Sequence, residues 1–517
     1  MNGAQALIRT LVASGVDVSF TNPGTSEMHF VAALDDVPGM RAVLALFEGV
    51  ATGAADGYGR MAGRPAATLL HLGPGLGNGL ANLHNARRAH TPLVNIVGDH
   101  ATYHKQYDAP LESDIDSAAA TVSGWVRRSS GPGDVARDGA DAVAAAMGPP
   151  GRVATLILPA DASWLEGAEP APAPAPAHRA AVSDDVVAAV AKVLVSGEPC
   201  VLLLGGSAMR EAPLAAASRV TRATGAKLLG ETFPARLERG AGVAPIERLG
   251  YLAEFTQAQL AGARHLVLVD TRAPVSFFAY PDKASDLVPD GCQVHVLASS
   301  GDDAAEALAQ LADRVAGAED ALLQPAVRPE RPTGALTAET VAQAVGALLP
   351  EGAIVADEAN TAGLWAPGAT AGAPRHDWLT LTGGAIGQGL PVATGAAVAC
   401  PDRKVVCLEA DGSAMYTLQS LWTQARENLD VTTVIYNNRS YAILNLELSR
   451  VGTDAPGPKA QSMLDLANPD LDFTSLARGM GVDAARATTA EELTAQLERA
   501  LATPGPSLVE AMIPAGF

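Results

Sequence analysis

Short apolar strands separated by a helix constrain how the C-terminal third of this 517-residue chain can fold. Residues 404–409 and 431–436 each contain a continuous apolar run of strand length. Residues 415–428, which separate them, carry apolar side chains at helical spacing: Leu418, Leu421, Trp422 and Ala425. Strands joined by a single helix pair in parallel and connect in the right-handed sense. The pattern therefore predicts a parallel sheet whose strand ends meet along one edge.

Polar residues follow both of these strands. Asp411 comes after the first strand, Asn438 follows the second, and Gly412 and Ser413 begin the helix between them. Because the carboxyl ends of parallel strands open onto one crevice, we expect a carboxylate and an amide to lie side by side there. Such oxygen ligands suit Mg²⁺, and a helix N-terminus suits phosphate. The segment predicts a site for a metal-bridged diphosphate, although an ordinary strand–helix–strand unit with an acidic cap would give the same pattern.

The spacing of these residues resembles the motif of thiamine diphosphate-dependent enzymes. That motif is a Gly-Asp-Gly turn followed, one strand–helix–strand unit later, by an Asn-Asn pair. Here Asn438 lies 27 residues after Asp411 (438 − 411), and Ala410 stands in place of the first glycine. The resemblance implies that Asp411, Asn438 and the main-chain carbonyl of Ser440 hold Mg²⁺. It also implies that the start of the helix after Asp411 contacts the diphosphate of the cofactor.

Two proline-rich segments divide the chain into three pieces. Residues 169–178 alternate proline with alanine, and residues 324–333 combine proline with charged residues, so neither can sustain a helix. The pieces 1–168, 182–323 and 335–517 each alternate apolar strands with helical stretches. The predicted fold class is therefore α/β, with three parallel-sheet domains. By resemblance these are an N-terminal pyrimidine-binding domain, a central half-Rossmann-like domain and a C-terminal domain for thiamine diphosphate and Mg²⁺.

Charge and composition narrow the classes of partner. The net charge of −20 argues against nucleic acids and anionic membranes. An anionic cofactor on so acidic a chain requires a bridging cation. No uniformly apolar run is long enough to span a bilayer. The four cysteines lack a metal-binding spacing and the N-terminus lacks a signal-peptide pattern, so we expect a cytoplasmic protein with reduced thiols.

A second candidate site lies in the N-terminal piece. Residues 40–47 form an apolar run that ends at Glu48, where a lone acid could simply complement the dipole of the following helix. Glu48 together with Ala-Asp-Gly-Tyr at 55–58 resembles the pattern that thiamine diphosphate-dependent enzymes place here. The resemblance implies that the Glu48 carboxyl binds the aminopyrimidine of the cofactor, favours its imino tautomer, and so promotes removal of the thiazolium proton. Such an acid requires a dry pocket.

Two further residues of this piece resemble active-site positions of benzoylformate decarboxylase. The turn Asn-Pro-Gly-Thr-Ser-Glu at 22–27 contains Thr25, and His71 lies 23 residues after Glu48 (71 − 48). A histidine after a strand is often structural, but the resemblance implies that His71 and Thr25 handle protons of the substrate. The glycines of residues 73–78 do not form the fingerprint of a dinucleotide-binding turn.

The C-terminal piece contains two more segments that resemble the same family. An apolar strand ends in Asn360 and Thr361, and the resemblance implies that both residues hold oxygens of the diphosphate. Residues 382–387 form a glycine-rich loop. In this family the corresponding loop bends the cofactor. The resemblance therefore implies that the carbonyl of Gly384 accepts a hydrogen bond from the 4′-amino group, and that Ile386 is the apolar wedge beneath the cofactor.

Taken together, the motifs resemble the acetolactate synthase large-subunit-like group, with single positions closer to benzoylformate decarboxylase. Residues 108–112 depart from the acetolactate synthase pattern, and Phe278 stands where benzoylformate decarboxylase has a second active-site histidine. Acetolactate synthase binds FAD in its central domain. Residues 182–323 lack a glycine fingerprint, so we favour a central domain without flavin and keep FAD as the alternative.

These features predict a thiamine diphosphate- and Mg²⁺-dependent 2-oxo acid decarboxylase or carboligase, similar to acetolactate synthase. Such an enzyme forms an enamine from a 2-oxo acid and either releases an aldehyde or ligates the enamine to a second carbonyl. The alternatives are an aromatic 2-oxo acid decarboxylase like benzoylformate decarboxylase, another thiamine-dependent lyase or oxidase, and a non-catalytic homologue that binds the cofactor. Because different subunits hold the two ends of the cofactor in this family, the resemblance implies a homodimer or homotetramer.

Overall fold

The computed structural model describes residues 1–452 and 457–515, which form three sheets flanked by helices. Within the sheets all strand pairs are parallel, except for one at the edge of the C-terminal sheet. The predicted α/β class with three parallel-sheet units is therefore confirmed. Among the described residues, none of the helices combines the length and the apolar character that crossing a bilayer would require.

The N-terminal sheet has its buried strands at the centre. Its strands are β1 (Val18–Asn22), β2 (Arg41–Leu44), β3 (Ala66–Leu70), β4 (Leu93–Asp99), β5 (Trp125–Arg128) and β6 (Val153–Pro159). They lie in the order β2-β1-β3-β4-β6-β5. The helices are α1 (Gly3–Ala13), α2 (Met28–Asp36), α3 (Glu48–Ala62), α4 (Leu72–Arg88), α5 (Ile115–Ala120), α6 (Pro132–Met147) and α7 (Ala160–Trp164). Strands β3, β4 and β6 are buried throughout, because helices cover both faces of the sheet.

The central sheet is smaller. The strands of this part of the chain are β7 (Cys200–Leu204), β8 (Lys227–Gly230), β9 (Leu237–Arg239), β10 (Glu247–Arg248), β11 (His265–Val269) and β12 (Gln293–Ala298). Five of them form the sheet, in the order β10-β8-β7-β11-β12. The helices are α8 (Asp184–Leu194), α9 (Glu211–Thr224), α10 (Ala253–Leu260) and α11 (Ala304–Val315). Strand β9 is not part of this sheet.

The C-terminal sheet has seven strands, in the order β17-β18-β16-β15-β13-β14-β9. Strand β9 pairs antiparallel with β14, so the central part of the chain completes the edge of this sheet. The strands are β13 (Ile354–Glu358), β14 (His376–Thr380), β15 (Val405–Ala410), β16 (Val431–Asn437), β17 (Asp483–Ala487) and β18 (Ser507–Met512). The helices are α12 (Ala338–Leu348), α13 (Ala366–Ala369), α14 (Gly389–Ala399), α15 (Asp411–Thr417), α16 (Ser420–Arg426), α17 (Ala442–Arg450), α18 (Pro458–Ser462), α19 (Phe473–Gly479) and α20 (Ala490–Ala502).

The strand–helix–strand unit that carries the diphosphate motif has one break that the sequence pattern does not predict. Strands β15 and β16 pair in parallel, as expected. The prediction of one continuous helix over 415–428 is wrong, because α15 and α16 are separated at Leu418 and Gln419. Just before the break, the hydroxyl of Thr417 donates to the carbonyl of Gly387 (3.0 Å). The break thus lies where the helical segment is tied to the neighbouring glycine-rich loop.

Helices α3 and α14 pack at main-chain distance and hold the N-terminal and C-terminal parts together. A Cβ atom at Gly57 of α3 would overlap the carbonyl of Val392. In the same way, a Cβ atom at Gly395 of α14 would overlap the carbonyl of Ala54. Glycine is required at both positions because no side chain fits between the two main chains.

A buried ion pair fixes the same helix to the rest of the chain. Arg60 and Asp56 lie one turn apart on α3, and their side chains are 1% and 0% exposed. The Arg60 guanidinium also donates to the carbonyls of Ala235 (3.3 Å) and Thr380 (2.8 Å). Because these carbonyls belong to the central and C-terminal parts of the chain, one side chain joins all three parts. Removing it would leave a buried carboxylate without its partner.

Replacing Gly57 by alanine should destabilise the protein by roughly 1–3 kcal/mol, because the new methyl group would push α3 away from α14. Urea-induced unfolding followed by circular dichroism measures the change. The matched control is Gly133→Ala near the start of α6, where a Cβ atom meets no other residue and alanine favours the helix. Equal unfolding midpoints for the two variants would contradict the close contact.

Candidate active site

The structure places Asp411 and Asn438 at the carboxyl ends of the neighbouring parallel strands β15 and β16. The Asp411 carboxylate accepts a hydrogen bond from the main-chain N–H of Arg439 (2.6 Å). The side-chain oxygen of Asn438 accepts one from the N–H of Ser440 (3.0 Å). The carboxylate, the amide and the main chain of Ser440 therefore lie around a single turn.

Asp411 is buried without a neutralising side chain. Burial raises the pKa of its carboxyl to about 6, although the main-chain N–H groups of Gly412 and Arg439 stabilise the charged form. In the part of the chain that the structure describes, no lysine or arginine pairs with this carboxylate, and no three histidine, cysteine, aspartate or glutamate side chains gather into a metal cluster. A buried carboxylate favours a bound cation, and Mg²⁺ takes carboxylate, amide and carbonyl oxygens. This donor set fits Mg²⁺.

Polar groups suited to a diphosphate lie next to this turn. Asn360 donates from its amide to the hydroxyl of Ser413 (2.9 Å) and holds a left-handed backbone with φ of 51°. Thr361 follows in the same turn and is half-buried. A Cβ atom at Gly412 would overlap the ring of Tyr441, so a larger residue here would displace that ring. Amides and hydroxyls are donors that bind phosphate oxygens, whereas the N–H of Gly412 already donates to Asp411 (2.7 Å).

The loop of residues 382–387 lies between α4 and the end of β13. Gly384 has a φ of 74°, a conformation that strongly favours glycine, and it is exposed. Ile386 is half-buried. The N–H of Gly387 donates to the Glu358 carboxyl (2.7 Å), which holds the end of the loop against β13.

Two buried glutamates behind this loop escape sequence reasoning. Glu358 ends β13 and accepts hydrogen bonds from the N–H groups of Gly387 and Gly389. Burial raises the pKa of Glu358 to about 7, and burial raises the pKa of its neighbour Glu409 well above the ordinary value. Two carboxyl groups in contact cannot both ionise in a dry site, so the pair holds a proton. The only signal in the sequence is that each glutamate lies at or next to the end of an apolar strand.

The N-terminal half of the candidate site contains two hydrogen-bonded pairs. Glu48 begins α3, is 7% exposed, and accepts a hydrogen bond from the Asn78 amide (3.0 Å). His71 Nδ1 lies 2.7 Å from the carboxyl of Glu27, a buried acid whose pKa is raised by burial. Thr25 is exposed in the short turn that ends at Glu27.

Glu27 and Asn78 are functional candidates that sequence reasoning misses. Both lie inside segments that it singles out, the turn at 22–27 and the glycine-rich stretch at 73–78. A turn motif does not reveal which of its polar side chains points inward. The partner of each side chain is also distant in sequence, because His71 lies 44 residues from Glu27.

The two halves of the site meet within one chain at the loop of residues 382–387, but not at the candidate residues for catalysis and metal binding. In the described residues, no hydrogen bond or ion pair connects Glu48 or His71 with Asp411 or Asn438. Large apolar side chains close in sequence to these residues are exposed: Leu46, Leu364, Trp365, Tyr416 and Leu444. Each chain thus presents two half-sites beside exposed apolar surface.

The carboxyl edge of the central sheet, where a Rossmann-like fold would bind a dinucleotide, is filled by acids of the chain itself. Glu231 accepts a hydrogen bond from the N–H of Gly206 (2.9 Å), and Asp270 accepts one from the N–H of Ser207 (2.8 Å). Burial raises the pKa of Glu231 to about 7. These carboxyl groups occupy the main-chain donors that a phosphate would need.

Phe278 lies on a segment that reaches the C-terminal half-site. Its side chain is 59% exposed. Two residues later, the hydroxyl of Tyr280 donates to Glu447 of α17. Leu444, one turn earlier on the same helix, is also exposed. The segment therefore borders the helix that follows Ser440.

Comparison with known proteins identifies a family for the N-terminal and C-terminal parts of the chain. Residues 1–120 match the family described as "Thiamine pyrophosphate enzyme, N-terminal TPP binding domain", and residues 361–511 match the "Thiamine pyrophosphate enzyme, C-terminal TPP binding domain". The chain is 64% identical over 515 residues to the "Putative acetolactate synthase large subunit IlvX" of Mycobacterium tuberculosis, with 99% of each chain covered. It is 32% identical to the benzoylformate decarboxylase of Pseudomonas aeruginosa, with 96% of each chain covered.

A solved structure has the same fold over the whole chain. The thiamine diphosphate-dependent 4-hydroxybenzoylformate decarboxylase of Rhodococcus jostii RHA1 is 25% identical, with a TM-score of 0.87. The alignment covers 100% of this chain and 99% of that one. The two matched domains contain Glu48 with His71 and Asp411 with Asn438, respectively. The chain therefore belongs to the family of thiamine pyrophosphate-dependent enzymes, and it is closely related to the IlvX protein of Mycobacterium tuberculosis.

Proposed function

We propose that this protein is a thiamine diphosphate- and Mg²⁺-dependent enzyme that decarboxylates a 2-oxo acid and either releases an aldehyde or ligates the product to a second carbonyl. The observation that carries the proposal is Glu48, a buried carboxyl group held by Asn78 at the start of α3. The family resemblance assigns this position to activation of the cofactor. When bound, thiamine diphosphate supplies a carbon nucleophile and an electron sink for the pair that departing CO₂ leaves behind.

The side chains of the N-terminal half-site orient groups and move protons. Asn78 fixes the Glu48 carboxyl so that its other oxygen can face the aminopyrimidine. Glu27 holds Nδ1 of His71, which leaves Nε2 as the atom that exchanges a proton with the substrate. Thr25, exposed nearby in the turn before Glu27, supplies a hydroxyl for the same task.

The C-terminal half-site would hold the charged end of the cofactor. Asp411, Asn438 and the carbonyl of Ser440 would bind Mg²⁺, which offsets the charge of the diphosphate on an acidic chain. Asn360, Thr361, Gly412 and Ser413 would bind the diphosphate oxygens. Gly384 and Ile386 would contact the pyrimidine and the centre of the cofactor.

A benzoylformate decarboxylase-like reaction on an aromatic 2-oxo acid is the second candidate. The pairing of His71 with Glu27 favours it, because a held imidazole can return a proton to the product. The exposed side chains of Phe278 and Leu444 would suit an aromatic substrate. The R. jostii structure, which carries the decarboxylase name, supports the same candidate.

We further propose that the protein acts as a homodimer or homotetramer. Among the described residues, Glu48 makes no hydrogen bond or ion pair with Asp411 or Asn438, and this supports the assembly because a second copy could bring Glu48 to the partner's cofactor. The exposed apolar side chains near both half-sites also support it.

The central part of the chain, in our proposal, binds no flavin. Glu231 and Asp270 already occupy the main-chain donors at the edge of its sheet, so these donors are not free to bind a dinucleotide phosphate. The purified protein should therefore lack flavin absorbance.

The proposed function is tested by CO₂ release and product analysis with Mg²⁺, in the presence and absence of thiamine diphosphate. The substrates are pyruvate, 2-oxobutyrate and benzoylformate. Cofactor-dependent CO₂ with acetolactate would establish a synthase, and free aldehyde would establish a decarboxylase. Cofactor binding without CO₂ from any of the acids would refute the proposal and favour another acyl donor or a non-catalytic homologue.

Replacing Glu48 by glutamine should lower turnover by roughly 10²–10⁴-fold, because the amide cannot exchange the proton that the carboxyl group does. The affinity for thiamine diphosphate should change little. Steady-state kinetics and isothermal titration calorimetry measure the two effects. Glu211→Gln is the matched control, since Glu211 also begins a helix but lies half-exposed on the central part, where it pairs with Arg375. Unchanged turnover of the Glu48 variant would exclude this role.

Binding of Mg²⁺ and thiamine diphosphate should weaken by about tenfold per pH unit below pH 6, because the metal needs the ionised Asp411 and burial raises its pKa to about 6. In the absence of metal, the stability of the folded state depends on pH in the opposite direction. The pKa exceeds the ordinary value of 3.8, so protonation of this group stabilises the folded state as the pH falls.

Calorimetric titrations between about pH 5 and 8 measure this dependence. The control is Asp411→Asn, which should bind the cofactor weakly and without a step near pH 6. Constant affinity of the unchanged protein across the whole range would show that Asp411 is not the metal-binding carboxylate.

Replacing Phe278 by histidine should raise the ratio of aldehyde to ligated product, because an imidazole near the substrate supplies a proton that phenylalanine lacks. Chromatographic analysis of products from pyruvate measures the ratio. Phe278→Leu, which keeps the position apolar, separates the effect of the proton from that of side-chain size. An equal product ratio in both variants would argue against protonation at this position.

A further inference from the structure

One polar face of α4 holds the main chain of the glycine-rich loop at alternate residues. His84 Nε2 lies 3.1 Å from the carbonyl of Gly383. The Asn85 amide donates to the carbonyl of Ala385 (2.8 Å), and the Asn82 amide donates to that of Gly387 (3.1 Å). Gly384 lies between Gly383 and Ala385. Within residues 1–452 and 457–515, no hydrogen-bond donor contacts the Gly384 carbonyl.

Asn82 and Asn85 form a buried amide pair whose hydrogen-bonding atoms are all engaged. The residues are 2% and 0% exposed. The Asn82 amide donates to the carbonyls of Gly49 (2.8 Å) and Gly387, and its oxygen accepts from the Asn85 amide (3.0 Å). The Asn85 oxygen accepts in turn from the N–H of Ala385 (3.2 Å). A fully satisfied buried network of this kind is rigid, and the loss of one member leaves the others unpaired.

The hydrogen bond between the N–H of Ala385 and the Asn85 oxygen also fixes the direction of the Gly384 carbonyl. These two groups belong to the same planar trans peptide unit and point in opposite directions. Asn85 therefore turns the Gly384 carbonyl away from α4 by holding the opposite side of that unit. Gly384 itself would permit another orientation, because its φ of 74° and lack of a side chain allow the peptide to rotate.

We propose that Asn85, supported by Asn82, is a positioning residue that aims the Gly384 carbonyl at the aminopyrimidine of thiamine diphosphate. The inference rests on the proposed function, which supplies the group that this carbonyl meets. Asn85 does not touch the cofactor and acts through the loop. A loop prepared in this way loses less entropy when the cofactor binds.

The test compares Asn85→Ala and Asn85→Asp with the unchanged protein. Alanine removes all side-chain hydrogen bonds of Asn85. Aspartate keeps the oxygen that faces the N–H of Ala385 and loses both N–H donors. Asn95→Ala is the matched control. Asn95 is fully buried in β4, donates to the hydroxyl of Thr155 (2.9 Å) and accepts from that of Thr68 (2.7 Å), and does not contact the loop.

Three measurements separate positioning from general stability. Hydrogen exchange of residues 382–388 is followed by mass spectrometry in the cofactor-free protein. The dissociation constant for thiamine diphosphate with Mg²⁺ is measured by calorimetry, and kcat and KM are measured separately. Thermal unfolding reports the loss of stability in each variant.

For Asn85→Ala we expect exchange in the loop and the dissociation constant for thiamine diphosphate each to rise about tenfold, which corresponds to the loss of a buried hydrogen bond. We expect kcat to fall more than KM rises. Asn85→Asp should increase exchange at least as much, because its buried carboxylate would face the oxygens of Asn82 and Ala385 in place of the two lost donors. Asn95→Ala should lose stability while it binds the cofactor normally.

The outcomes distinguish this inference from the proposed function. Normal loop exchange or normal cofactor affinity in Asn85→Ala, when the unchanged protein binds thiamine diphosphate, would overturn the inference alone. An equal loss of thiamine diphosphate affinity in Asn95→Ala would also overturn it, because the effect would then follow from a general loss of stability. Absence of binding by the unchanged protein would overturn the proposed function, and this inference with it.

Discussion

The contact between α3 and α14 is the constraint on which the arrangement of the candidate site depends. Gly57 and Gly395 bring the two main chains together without intervening side chains, and Arg60 ties α3 to the strands behind. This approach places α4 against the loop at 382–387. Hydrogen bonds from α4 to the loop fail beyond about 3.5 Å, so a wider spacing of the helices would release the loop.

Burial decides what each acid of the candidate site can do. Among the residues that the structure describes, Asp411 has no cationic partner, and a metal ion would stabilise its buried charge. Glu358 instead caps the main chain at the start of α14 and shares its pocket with Glu409. Glu27 lies against the imidazole of His71, 2.7 Å from its Nδ1. The nearest neighbours of a buried carboxyl group thus decide its role. It can bind a metal, accept hydrogen bonds from a main-chain turn, or pair with a histidine.

The sequence predicts the parts of the site that depend on local pattern. Strand ends follow from apolar runs and fixed spacings, so the placement of Asp411 and Asn438 on neighbouring strands could be foreseen. The contacts that complete the site could not. Asn85 meets Ala385 across 300 residues of chain, and β9 joins a sheet outside its own part of the sequence. Such pairings depend on how whole domains dock, which no local period or motif encodes.

Helices α3 and α4 link groups that would serve different cofactors in the proposed dimer. Asn78 of α4 holds Glu48, which would act on the cofactor of the partner chain, while Asn82 and Asn85 hold the loop that would contact the chain's own cofactor. The amide of Asn82 spans the two groups directly, because it donates both to the carbonyl of Gly49, next to Glu48, and to the carbonyl of Gly387. A shift of the loop cannot keep both hydrogen bonds unless the start of α3 moves with it. The Asn82 side chain therefore couples the position of the loop to that of the start of α3, and so couples the two half-sites of one chain.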